Sequence, residues 1–175
     1  MIGVFSQLHG EIVLTVINAF WEIALFRRGP EDLPTSQLLL IVAILGYLIS
    51  NGAGAALVGA SPVLVPLIDL LLLVTAGAGL LFAAGYPQRL QQMLTALCGA
   101  DAVVQFISLP FSAMMAGTPT LLSTIALVVL LLWSLAVYGS IFSRAISQSF
   151  GIGIALTFLY FVVRFQIVSG LIPAT

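Results

Sequence analysis

The sequence predicts an all-α fold: a polytopic membrane helix bundle of five transmembrane helices preceded by an N-terminal amphipathic, interfacial helix. Composition is the first reason, because 61% of the 175 residues are hydrophobic and only 6% are charged, against about 25% in a soluble domain. So few charges do not coat a water-soluble fold of this size, and most of the surface must face lipid. The second reason is five apolar stretches, each matching the roughly 20 residues a helix needs to cross the hydrocarbon core. The third is the grouping of the charges in the short connections between them.

Residues 1–35 read as one unit, an amphipathic helix followed by a charged cytoplasmic loop. The run from Val4 to Phe26 is apolar but interrupted by Gln7, His9, Glu11, Asn18 and Glu22. It has neither the basic start nor the uninterrupted apolar centre of a secretory signal, so none is expected. Two readings are open: a helix lying in the interface or packed on the bundle, and a sixth membrane-embedded segment. Glu11, Asn18 and Glu22 recur at i, i+7 and i+11, which makes one polar stripe and favours the first. Helices that bind anionic lipid carry Lys or Arg on the polar face. An acidic stripe is better suited to another protein, and Arg27, Arg28, Glu31 and Asp32 extend that candidate partner-binding surface.

Residues 36–175 then hold the five spans. The first is expected at about 37–58, after the charged segment Arg27-Arg28-Gly29-Pro30-Glu31-Asp32-Leu33-Pro34. The second, about 62–86, begins at Pro62, since proline is tolerated in a first helical turn. Tyr86-Pro87-Gln88-Arg89 stops it. The third, about 90–116, contains Pro110 and should kink there. Gly117-Thr118-Pro119 forms a turn before the fourth, about 120–142, and the fifth runs from about 145 to 172. Short connections imply that sequential helices are antiparallel neighbours. With alternating spans, Arg27, Arg28, Arg89 and Arg144 share one side, whereas the loops at Gly59-Ala60 and Gly117-Thr118 hold no Lys or Arg. The positive-inside rule then puts the N-terminus in the cytoplasm and the C-terminus outside.

Three ionisable residues remain within spans, where each costs roughly 2.5 to 3.5 kcal/mol to insert and therefore seeks a partner in the bundle interior. Counting 1.5 Å per residue puts Asp69 and Arg164 at similar depths, roughly 7 Å outward of the midplane. They are expected to pair, with Asn51 adding a hydrogen bond. Asp101 lies toward the cytoplasm, with only Arg89 or Arg144 within snorkelling reach. Around it, Cys98, Asp101, Gln105, Ser108 and Ser112 recur at intervals of 3 and 4 on one face of the third span. Gly153, Thr157, Tyr160 and Arg164 form a comparable stripe on the fifth. If those stripes face each other, Asp101, Gln105, Ser108, Thr157 and Tyr160 either clamp the helices or line a polar path. Asn51-Gly52 leaves open a break in the first span.

Catalytic and cofactor chemistry finds little footing. His9 and Cys98 are the only histidine and cysteine, too few for a zinc, haem or iron–sulfur site, and neither a cofactor nor a metal is expected. No Gly-x-Ser-x-Gly or phosphate-binding loop is present. Five arginines and no lysine against six acids make no basic face for nucleic acid. The partners expected are membrane lipids and other membrane proteins, or further copies of the chain. That composition fits a non-enzymatic adaptor or accessory subunit. A small transporter or proton-linked channel using Asp101, Asp69 and Arg164 is the first alternative, and a lipid-handling protein with a groove between spans is the second.

Three segments carry a family resemblance: Arg27 to Pro34 before the first span, Arg89-Leu90-Gln91-Gln92-Met93-Leu94 leading into the Pro110-containing third span, and Ser143-Arg144-Ala145-Ile146 opening the last. In these the chain resembles a small member of the Yip family, the Rab- or Ypt-interacting five-span membrane proteins and their bacterial relatives. The resemblance implies a five-span bundle and action through other proteins. Eukaryotic members have a long cytoplasmic N-terminal region with an acidic, aromatic motif, and residues 1–36 contain no close copy of it. The resemblance therefore points to a bacterial inner-membrane relative, and it implies no catalytic residues.

Overall fold

The computed structural model describes residues 16–170. Glu11 and the predicted end of the fifth span at 172 lie outside the described residues. The regular structure of the described residues is helical, with α1 over residues 16–24, then α2 (Gln37–Leu57), α3 (Leu64–Ala84), α4 (Leu90–Gly117), α5 (Leu121–Ala145) and α6 (Phe150–Ser169). Helices α2 to α6 are each long and apolar enough to cross a membrane, so this is an integral membrane protein.

Helix ends follow local chemistry. Ser36 accepts from the Leu39 N–H to start α2, and Thr120 and Ser123 make a reciprocal capping box at the start of α5. Gly85 closes α3 in the left-handed conformation at φ 81°, with the Tyr86 N–H reaching back to the Leu81 carbonyl. Ser147 does the same after α5, at φ 56°, with Gln148 N–H on the Ser143 carbonyl. This corrects two expectations: α5 runs three residues past 142, and α6 starts at Phe150 instead of 145. Ser143 to Ala145 therefore ends the fourth span. Helix α2 passes unbroken through Asn51-Gly52, so the possible break there is absent. Gly52 is needed at close quarters, since a Cβ on it would lie 2.6 Å from the Pro62 carbonyl oxygen.

Packing departs from simple sequence order. Helix α4 is central, lying chiefly against α2 on one side and α5 on the other, while α6 rests mainly on α5 and more lightly on α3. Its N-terminal half, Met93 to Ala102, is buried without interruption. Helix α1 packs on the bundle. Phe20 fills the space where a Gly99 side chain would stand, the Trp133 indole N–H donates to the Ala24 carbonyl at 2.9 Å, and Trp21 meets Trp133 edge to face.

Three of the loop arginines are held by local partners at one end of the bundle. Arg89 donates to the carbonyls of Arg144 and Ala145 and to the Ser147 hydroxyl, satisfying the end of α5. Arg144 pairs with Glu31 at 3.3 Å and Arg28 with Glu22 at 2.6 Å. The Gln92 amide donates to the Leu33 carbonyl, which fastens the loop before α2 onto α4.

Candidate functional site: a polar network joining five spans

Tyr47 and Asn51 stand four residues apart on α2 and so project from one face of it. Tyr47 is fully buried. Its hydroxyl donates to Asp69 Oδ2 at 2.6 Å, crossing from α2 to α3. Arg164 of α6 grips the same carboxylate from the other side, Nε on Oδ1 at 2.6 Å and Nη2 on Oδ2 at 2.5 Å. Such a fork satisfies both charges bidentately. Asp69 is 2% exposed and the Arg164 side chain 29%, so the acid sits inside and the arginine at the edge. The pairing expected from depth is present.

Asn51 does not join that pair. Its Nδ2 donates to the Tyr47 carbonyl at 3.0 Å and to Asp101 Oδ2 at 2.8 Å. Tyr138 of α5 donates to the other oxygen, Oδ1, at 2.9 Å. Asp101, 9% exposed, is therefore held by two neutral donors from flanking helices. Arg89 and Arg144 are engaged at the end of the bundle, which removes them as partners. All five spans thus contribute to one set of contacts, linked through the single α2 turn that carries Tyr47 and Asn51.

The two polar stripes do not share a face. Helix α4 turns Asp101 toward α2 and α5, while the small residues of α6 press on α5: a Cβ at Gly153 would overlap the Gly139 carbonyl. The Thr157 hydroxyl bonds the Gly153 carbonyl of its own helix. Ser108 likewise bonds the Gln105 carbonyl. Tyr160 stacks on Tyr138, ring centroids 6.1 Å apart. Its hydroxyl is buried and has no hydrogen-bond partner among the described residues. The polar-path set of Asp101, Gln105, Ser108, Thr157 and Tyr160 is therefore divided: Asp101 joins the network, Tyr160 adjoins it by ring stacking, Gln105 borders a cavity, and Ser108 and Thr157 satisfy their own helices.

That cavity, of about 160 Å³, is bordered by Val58, Ala60, Asn51, Asp69, Gln105 and Arg164 among others. It extends from the loop after α2 to the Asp69–Arg164 pair. Tyr47 and Tyr138 are network members that the sequence reading did not include, since both lie off the polar stripes of the third and fifth spans. The spacing of Tyr47 to Asn51 was the available signal.

Of the predicted partner-binding residues, Glu22 and Arg28 pair with each other, Glu31 pairs with Arg144, and Asp32 accepts from the Gly29 N–H at 2.8 Å. Asn18 and Arg27 are exposed. Among the described residues no group of three or more His, Cys, Asp or Glu side chains is placed to hold a metal ion. No protein-family model, curated protein or solved structure matches the chain.

Proposed function

We propose that the protein is a non-enzymatic membrane adaptor or accessory subunit that binds and organises other membrane proteins, as the Yip resemblance implies, in a bacterial inner membrane with its N-terminus cytoplasmic. The observation that carries this reading is the mutual satisfaction of Asp69, Arg164, Tyr47, Asn51, Asp101 and Tyr138. Groups bonded to one another across helices fix a scaffold. A scaffold of this kind presents constant outer surfaces, including the exposed Ile17, Asn18 and Trp21 of α1 and the neighbouring Arg27, to which other membrane proteins can dock.

One observation favours a second reading, a proton-linked channel or transporter: the cavity reaching Asp69 and Arg164 gives water a route to the network from one end. Purified protein in liposomes separates the two. The adaptor reading predicts proton and ion flux equal to protein-free liposomes, and a stoichiometric partner retained from native membranes that is lost on Asn18→Arg or Arg27→Glu. Flux in the wild type that Asp101→Asn abolishes would establish the channel instead.

A further inference from the structure

Arg164 uses only one edge of its guanidinium on Asp69. Nε and Nη2 make the fork, while Nη1 makes no hydrogen bond among the described residues and 29% of the side chain is exposed. Arg164 also borders a small cavity and a larger apolar groove. One is the cavity of about 160 Å³ bordered by Val58, Val65 and Pro66 as well as Asn51, Asp69 and Gln105. The other is a groove of about 710 Å³ walled by Leu131, Leu135, Phe158, Phe161 and Phe165 of α5 and α6. Arg164 and Val168, one helical turn apart, border both.

Sites for small amphiphilic molecules are typically about 300 to 1,000 Å³, mostly apolar and aromatic, with few polar groups to fix orientation. The groove has that size and make-up, and Gln166 and Ser169 add polar groups along its border. It opens between two membrane-spanning helices, so the molecules surrounding it are lipids. A guanidinium edge with unused N–H donors is complementary to a phosphate. Arg164 lies roughly 8 Å along the axis from the end of α6 at Ser169. Gln166 and Ser169 border the groove over that interval, so a headgroup entering from the end of α6 meets polar groups before it reaches the guanidinium.

We propose that the groove between α5 and α6 binds one phospholipid of the adjoining leaflet, with an acyl chain along Phe158, Phe161 and Phe165 and the phosphate on Arg164 Nη1. Asp69 then acts as a positioning residue, holding the guanidinium so that its remaining edge faces the lipid.

The test is titration of the purified full chain in mild detergent with dioleoylphosphatidylglycerol, counting bound lipid by native mass spectrometry. One saturable lipid is expected, and dioleoylglycerol, which has the same chains and no phosphate, should bind at least about tenfold more weakly. Val162→Trp fills the groove without touching the network, and it should weaken phosphatidylglycerol binding by a similar factor while leaving the melting temperature unchanged. The headgroup comparison is made on the wild-type chain, so it stands even if a variant fails to fold. Equal affinity for the two lipids, unsaturable binding, or undiminished binding by a folded Val162→Trp variant would overturn the proposal.

Discussion

Asp69 and Arg164 make each other tolerable inside the membrane, and each is expensive without the other. Removing one partner of a buried pair leaves an uncompensated charge, at a cost of about 3 to 5 kcal/mol. Arg164→Met leaves Asp69, 2% exposed, with no cation beside it, and should lower stability by that order in a detergent unfolding titration. The double variant Asp69→Leu with Arg164→Met should recover most of the loss, because replacing both partners by apolar groups removes the desolvation cost as well. Tyr47→Phe deletes one bond to a carboxylate that keeps its arginine, so the expected loss is only about 0.6 to 1.7 kcal/mol, from the average to the largest value in double-mutant cycles on interhelical bonds of a membrane bundle.

Helix crossings depend on small residues at particular positions. Gly153 faces the Gly139 carbonyl and the Ser143 Cβ, so Gly153→Ala forces α6 away from α5 and should destabilise by about 1 to 3 kcal/mol. Gly79 has open space where its Cβ would be, so Gly79→Ala should be neutral or slightly stabilising in the same assay. Gly99→Ala should displace Phe20 and loosen α1, read as faster proteolysis before residue 24. The spans themselves were legible because a membrane sets their length: α2, α3 and α4 fall within about two residues of expectation. The α5–α6 boundary was not, because Ser147 terminates a helix in a conformation usually taken by glycine or asparagine. The pairing of Asp69 with Arg164 was also legible, since rise per residue is nearly constant along a helix and sets which residues of two spans stand level. Depth does not specify azimuth, however. Asn51 was assigned to the wrong acid because which helix lies beside which, α4 against α2 above all, is decided by the packing of whole faces.

The assembled bundle has its loop charges at one end, and the cavity that reaches the network opens toward the other. Positive-inside placement predicts a single orientation. In a Cys98→Ala background, Gln88→Cys should react with an impermeant maleimide only from the cytoplasmic side, and Thr118→Cys only from the opposite side. Dual labelling of either site would refute that orientation. The central claim concerns how the five spans are joined: Asn51 ties α2 to Asp101 on α4, separately from the Asp69–Arg164 pair. A double-mutant cycle tests it most directly, with unfolding free energies measured for Asn51→Leu, Asp101→Leu and the two combined, and the same cycle for Asn51→Leu with Arg164→Met. The structure predicts a coupling of about 0.5 to 2 kcal/mol between Asn51 and Asp101 and a much smaller one between Asn51 and Arg164. Zero coupling in the first cycle with substantial coupling in the second would contradict it.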